Sequence, residues 1–76
     1  MQAIKQLIEK ASYLSPDKVA LVQDAYDFSA RAHEGQLCFS GVPYIEHPLQ
    51  VALTLAQLRL DAASLAAALL HDVPEN

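Results

Sequence analysis

Helical periodicity dominates the pattern of hydrophobic and polar positions along the chain. Near the amino terminus, apolar side chains recur three and four positions apart, as they do on one face of a helix. They are Ile4, Leu7, Ile8, Ala11 and Leu14. The pattern predicts an amphipathic helix over residues 3–13. Pro16 sets its limit, because the residue before a proline is disfavoured in the helical region.

A second helix is predicted over residues 16–34. Ser15 is suited to its N-cap and Pro16 to its first turn. His33 lies among apolar side chains on one face of this helix, and polar side chains lie on the opposite face. Gly35 stands where a glycine commonly ends a helix, so the chain should turn there.

The second half of the chain predicts a loop and two further helices. Residues 36–46 contain a glycine and a proline and show no clean period, so we expect an ordered loop. Helices are predicted over 48–59 and 62–72, the second after an N-cap at Asp61. The run 65–70 is apolar on every side, which is typical of the middle of a bundle. No strand pattern is present, so the predicted fold is all-α, a helical bundle truncated to about four helices.

Composition narrows the class of protein. The 76 residues are 53% hydrophobic and 18% charged, which excludes an intrinsically disordered tail. The net charge of −4 excludes the electrostatic footprint of a nucleic-acid-binding protein. One cysteine excludes a disulfide framework, and no apolar run approaches the roughly 18 residues of a membrane span. With no visible signal peptide, we expect a cytoplasmic protein, and we expect residues 1–76 to form the amino-terminal part of a single domain.

Three histidines and a late acidic cluster are the candidates for chemistry. His71 and Asp72 are adjacent near a helix end, so both could reach one Mn²⁺, Fe²⁺ or Zn²⁺ ion. Glu75 could position or deprotonate a metal-bound water. The alternative is an ordinary polar helix end. His47 can join His71 only if the third and fourth helices pack antiparallel, and the apolar face around His33 favours a satisfied buried histidine that braces the loop.

Taken together, three segments of the chain resemble the start of a known hydrolase domain. They are AHEGQ at 32–36, SGVPYIEHP at 40–48 and LAAALLHDVPEN at 65–76. The domain is the alarmone hydrolase domain of the RelA/SpoT homologues, within the HD-domain superfamily of metal-dependent phosphohydrolases. The family pattern reads approximately AHxGQxRxSGxPYIxHP and then, after a helix, AALLHDxxED. The spacings from His33 to His47 and from His47 to His71 fit this pattern without gaps.

The resemblance implies an activity and a site. Such a domain is all-helical and removes the 3′-pyrophosphate from (p)ppGpp, a guanine nucleotide alarmone, giving GDP or GTP. It would bind Mn²⁺ through His47, His71 and Asp72 together with a distant aspartate. Asp72 and Glu75 would be the catalytic residues, with Glu75 handling the attacking water. The residues expected near the substrate are Ser40, Gly41 and Tyr44.

Three positions depart from the family pattern and leave three interpretations open. Cys38 and Phe39 stand where basic or polar residues are usual, and Asn76 replaces the second acid of the ED pair. The distant aspartate has no counterpart in this chain. The chain could be the amino-terminal part of a (p)ppGpp hydrolase, inactive alone, or an HD phosphohydrolase for another nucleotide. It could also be a degenerate, non-enzymatic module for regulation, with exposed apolar helices favouring a homo-oligomer.

Overall fold

The computed structural model describes residues 3–37, 41–71 and 73, and these form an all-α bundle as the sequence predicts. The helices are α1 (Ala3–Lys10), α2 (Pro16–Ala32), α3 (Glu46–Gln57) and α4 (Ala62–Leu70). Across the described residues, the extended structure consists of one isolated antiparallel bridge between Leu37 and Pro43. Within the same part of the chain, no helix is both long and apolar enough to cross a membrane.

The helices are mostly shorter than the sequence pattern predicts. After α1, the chain leaves the α-helical pattern in tight turns, with Ser12 N–H donating to the Glu9 carbonyl. α3 differs in beginning before its proline, at Glu46 rather than at residue 48. This placement costs no hydrogen bond. The backbone N–H groups of the first helical turn have no intrahelical acceptor, so the missing N–H of Pro48 leaves no bond unmade.

One core joins the four helices. α4 packs against both α2 and α3, and α3 packs against α1. The buried apolar residues are Leu7, Ala11, Val22, Ala25, Leu49, Ala52, Leu53, Ala56, Ala62, Leu65, Ala66 and Leu69. Alanine and leucine supply nearly all of this core. Because the distance between packed helices depends on the side chains at their contact, alanine allows the backbones to approach closely.

The two predicted N-caps behave differently. Asp61 precedes α4 in extended conformation, and its Oδ1 accepts a hydrogen bond of 2.9 Å from the Ser64 amide. This hydrogen bonding to Ser64 lowers the pKa of the Asp61 carboxyl. Ser15 occupies the N-cap position of α2 with an extended backbone, but its side chain makes no capping hydrogen bond. The first turn of α2 therefore relies on Pro16 and on packing.

A left-handed residue reverses the chain between α3 and α4. Arg59 has a φ of 59°, a conformation that costs about 1–2 kcal/mol for a residue with a Cβ. Two contacts hold this connection against the residues after α1. The Tyr13 hydroxyl donates to the Leu60 carbonyl at 2.6 Å, and the Arg59 guanidinium lies 5.1 Å from the centroid of the Tyr13 ring.

Candidate functional site

The end of α4 presents His71 with a defined ring orientation. Its Nδ1 lies 2.8 Å from the Ala68 carbonyl oxygen. A carbonyl oxygen only accepts, so Nδ1 carries the hydrogen and the lone pair of the neutral ring is on Nε2. Metal-binding histidines commonly donate their other ring nitrogen to a carbonyl in this way. The local geometry therefore suits His71 for coordination through Nε2.

His47, in the first turn of α3, lies beside His71. Their ring centroids are 6.5 Å apart, although 24 positions separate them in the sequence. They meet because α3 packs on α4 and the short connection 58–61 reverses the chain, so the start of α3 faces the end of α4. Antiparallel packing was the condition under which the sequence could join these residues, and the structure satisfies it.

The two rings fit a shared divalent cation after a small adjustment. Imidazoles bound to one ion have ring centroids about 4.6 Å apart at octahedral angles and about 5.3 Å apart at tetrahedral angles, given metal–nitrogen bonds of about 2.1 Å. The observed 6.5 Å is wider, but His47 is exposed, so rotation of its side chain can bring the rings closer while the His71 ring keeps its bond to the Ala68 carbonyl. Among the described residues, no group of three potential ligands is assembled. Asp72 and Glu75, the predicted ligand and catalytic acids, lie outside the described residues.

The predicted substrate loop reaches this pair through Tyr44. Residues 36–37 and 41–44 of this loop run beside each other, and we call these two segments the paired arms. The Tyr44 amide donates to the Gln36 carbonyl at 2.9 Å, next to the bridge between Leu37 and Pro43. The half-buried Tyr44 ring lies 6.1 Å from the ring of His47, centroid to centroid. Of the three predicted substrate-binding residues, Tyr44 is therefore adjacent to the candidate metal ligands.

The other two residues predicted near the substrate are Gly41 and Ser40, and the structure describes only Gly41. Gly41 is exposed and has a φ of 87°, which a residue with a Cβ rarely adopts. It therefore allows a sharp change of chain direction at the start of the second arm. Ser40 lies outside the described residues, as do Cys38, Phe39 and Asn76, the positions that depart from the family pattern. Their roles stay predictions.

His33 is buried, as its place on the apolar face of α2 predicts, and only 3% of it is exposed. Its Nδ1 lies 2.6 Å from Oε1 of Gln36, and its ring stacks on Tyr44 with centroids 4.6 Å apart. It braces the loop as expected. Its other ring nitrogen, Nε2, is buried and has no hydrogen-bond partner among the described residues, so these residues satisfy one of the two ring nitrogens.

Sequence reasoning missed Glu46, which begins α3 just before His47. One of its carboxylate oxygens, Oε2, is buried without a hydrogen-bond partner in the described part of the chain. Burial raises the pKa of the Tyr26 hydroxyl, and the negative charges of Glu46 and then Asp27 raise it further. The sequence offered a signal only for the helix start, since acidic residues are favoured in the first turn of a helix, and none for the burial of this carboxylate.

Comparison with known proteins gives one family and a consistent set of relatives. The family model described as "HD domain" matches residues 25–76. The bifunctional (p)ppGpp synthase/hydrolase SpoT of Escherichia coli strain K12 is 47% identical over 75 residues, which cover 99% of this chain and 10% of that protein. The guanosine-3′,5′-bis(diphosphate) 3′-pyrophosphohydrolase of Vibrio cholerae is 48% identical over 64 residues, covering 84% and 9%.

A third relative carries a different name. The GTP pyrophosphokinase of Myxococcus xanthus is 50% identical over 56 residues, which cover 74% of this chain and 7% of that protein. The chain thus spans about a tenth or less of the length of the curated relatives it matches.

Proposed function

Because the chain belongs to the HD-domain family, we propose that it forms the amino-terminal part of a metal-dependent (p)ppGpp hydrolase domain. The reaction would release the 3′-pyrophosphate and leave GDP or GTP. The names of the Escherichia coli and Vibrio cholerae relatives support this substrate. The observation that carries the proposal is the pairing of His47 with His71, whose Nδ1–H is held by a backbone carbonyl.

The metal would be Mn²⁺, held by His47, His71 and Asp72 and completed by a carboxylate from outside this chain. When bound, such an ion supplies Lewis-acid polarisation of a phosphoryl oxygen and a more acidic bound water. The chain's own part is positional. The Ala68 carbonyl fixes the tautomer of His71, and the start of α3 fixes the backbone of His47.

Hydrolysis would break the bond between the 3′ oxygen and the phosphorus attached to it. The water oxygen bonds to that phosphorus, and the 3′ oxygen leaves and takes up a proton. Glu75 is proposed to accept the proton of the attacking water. Tyr44 would provide an aromatic wall for the nucleotide beside His47. Cys38 and Phe39 make another nucleotide the alternative substrate.

The test uses the complete natural polypeptide that contains these 76 residues. Mn²⁺ affinity is measured by calorimetry, and pyrophosphate release is measured with ppGpp, pppGpp and other nucleoside polyphosphates. We expect His47→Ala and His71→Ala each to weaken Mn²⁺ binding by more than about 100-fold, since outer-shell changes alone cost roughly 10–100-fold. Gln50→Ala is the matched control, because Gln50 is exposed one turn after His47.

Two results would contradict the proposal in different ways. Unchanged Mn²⁺ affinity in both histidine variants would show that these histidines do not bind the ion. Pyrophosphate release from another nucleotide but not from ppGpp or pppGpp would be consistent with the proposed metal site and would contradict the proposed substrate. The cytoplasmic location stays a prediction.

A second candidate function, association between copies of the chain, rests on a different surface. Leu21, Phe28 and Leu70 are exposed around a groove of about 300 Å³ between α2 and α4. Exposed apolar side chains grouped in this way favour binding to another apolar surface. Sedimentation of the chain and of its Phe28→Asp variant tests this: a dimer that the substitution dissociates supports association, and two monomeric species contradict it.

A further inference from the structure

We propose that His33 is a positioning residue that fixes Tyr44 beside His47 through the paired arms of the loop. The inference rests on the proposed function only for the identity of the ligand that Tyr44 would meet. His33 itself directly follows α2 and is absent from the predicted set of metal ligands and substrate contacts. Its role would be to link the helical core to the site.

The first step is that His33 is a fixed point. It follows the last residue of α2, its amide donates to the Ser29 carbonyl at 2.9 Å, and its side chain is almost completely buried. The same helix is anchored in the core by Val22 and Ala25. A side chain held from a packed helix in this way has few alternative positions.

The second step is that hydrogen bonds connect His33 to Gln36 and Gln36 to Tyr44. The His33 carbonyl accepts from the Gln36 amide at 2.9 Å, and its Nδ1 lies 2.6 Å from Oε1 of Gln36. The Gln36 carbonyl then accepts from the Tyr44 amide at 2.9 Å. His33 thus makes hydrogen bonds with both the backbone and the side chain of Gln36, and Gln36 in turn positions Tyr44.

The third step is a direct ring contact. The rings of His33 and Tyr44 stack at 4.6 Å with planes 31° apart, within the range of favourable aromatic pairs. The Tyr44 ring is followed by the rings of His47 at 6.1 Å and His71 at 6.5 Å. The buried end of this series is His33, and its exposed end is the candidate metal pair. A shift at His33 would therefore move the ring next to the metal ligands.

The chemistry of the position also favours this role over simple core filling. Nε2 of His33 is buried and lacks a protein partner in the described part of the chain, as does Oγ of Ser29 one turn earlier. A buried polar atom without a hydrogen bond is destabilising. An apolar side chain would fill the same space without that penalty, but it would lose the Nδ1 donor. The donor to Gln36 is what histidine adds at this position.

The experiment separates the donor from the ring in the complete natural polypeptide. His33→Phe keeps an aromatic ring and removes the donor, His33→Asn keeps a donor and removes the ring, and His33→Leu removes both. Val22→Ala is the matched control, because it creates a cavity in the same helix away from the loop. Amide hydrogen exchange is measured for Gln36 and Tyr44, and KM and kcat are measured with ppGpp in Mn²⁺.

We expect His33→Leu to speed exchange at the Tyr44 amide and to raise KM for ppGpp, each about tenfold, which is the effect of one modest interaction. His33→Asn and His33→Phe should give intermediate values, and Val22→Ala should leave both quantities near the wild type. Folding is checked by thermal melting. If His33→Leu does not fold, the Asn and Phe variants decide, because each removes only one contact.

The outcomes distinguish this inference from the proposed function. Exchange at the arms unchanged by all three His33 variants overturns the inference. So does faster exchange with an unchanged KM, or a change in KM that Val22→Ala reproduces. A wild-type protein that does not hydrolyse ppGpp overturns the proposed function instead, and the exchange data then decide whether His33 holds the arms.

Discussion

Leu69 and Leu70 are neighbours on α4 that differ in burial and little else. Leu69 is completely buried in the core, whereas Leu70 is 38% exposed. Replacing either by alanine changes helix propensity equally, so the difference between the two variants reports burial. A Leu→Ala change in a core costs about 2–5 kcal/mol, because the lost transfer energy adds to the energy of the cavity.

The expected difference is large for a chain of this length. A domain of 76 residues has a free energy of unfolding of roughly 4–11 kcal/mol. The partly exposed Leu70 loses only a share of the roughly 1.5–3 kcal/mol that full burial of such a side chain provides. We therefore expect Leu69→Ala to be less stable than Leu70→Ala by about 2 kcal/mol, and its Tm to be lower by roughly 10 °C.

Urea unfolding followed by circular dichroism, together with thermal melting, measures both variants of the 76-residue chain. Equal losses of stability, or a larger loss for Leu70→Ala, would refute the reasoning. Either result would mean that α4 is rotated relative to α2 and α3, and the orientation of the His71 ring at its end would then be wrong as well.

Three further substitutions test other parts of the fold. Asp61→Asn should make Tm less dependent on pH below about pH 4. The pKa of the Asp61 carboxyl is lowered in the folded chain, so its ionised form stabilises the fold above about pH 4 and this contribution is lost as the pH falls further. Asparagine has no carboxyl group to titrate, so the variant lacks this loss. Gly35→Ala should cost about 1–2 kcal/mol in urea unfolding, because the φ of 85° strains any Cβ although no atom lies within 4 Å of it. Tyr13→Phe should cost about 0.5–1.5 kcal/mol through the lost bond to the Leu60 carbonyl.

Each of these three has its own contradicting result. The capping account fails if Asp61→Asn leaves the acid limb of the Tm profile unchanged. An alanine at position 35 that is as stable as glycine would show that the turn after α2 can relax. A Tyr13→Phe variant as stable as the wild type would mean that water replaces the hydroxyl contact, so the end of α1 would not depend on it.

The sequence predicted the helices because each has a periodic apolar face, a proline in its first turn, or an N-cap residue before a run of apolar side chains. It failed where tertiary contacts decide the local conformation. Arg59 adopts a left-handed conformation that no residue preference indicates, in a connection held by Tyr13 from a distant part of the chain. The buried carboxylate of Glu46 is of the same kind, since nothing local indicates that one of its oxygens loses contact with water.

The candidate site was predictable in its members and not in its geometry. The residue types and spacing indicated His47 and His71, but only the packing of α3 on α4 shows their rings 6.5 Å apart. Gln36 was part of the AHEGQ segment that carries the family resemblance, but nothing in the sequence indicated its contacts, because an exposed glutamine in a loop is usually solvated. Its role depends on the burial of His33, and burial belongs to the whole fold. The functions of Asp72 and Glu75 stay predictions.

The alanines of the core bear on how far this scaffold tolerates change. α3 buries Ala52 and Ala56, and α4 buries Ala62 and Ala66, in the same core from which His47 and His71 project. Where small side chains fill the contact between two helices, no space is left for a larger side chain, so a larger residue pushes the helix backbones apart. The spacing of the two histidines thus depends on the volume of side chains that lie roughly one and a half to two and a half helical turns away. Enlarging Ala66 would therefore alter the geometry of the candidate metal pair, His47 and His71, without a direct contact to either.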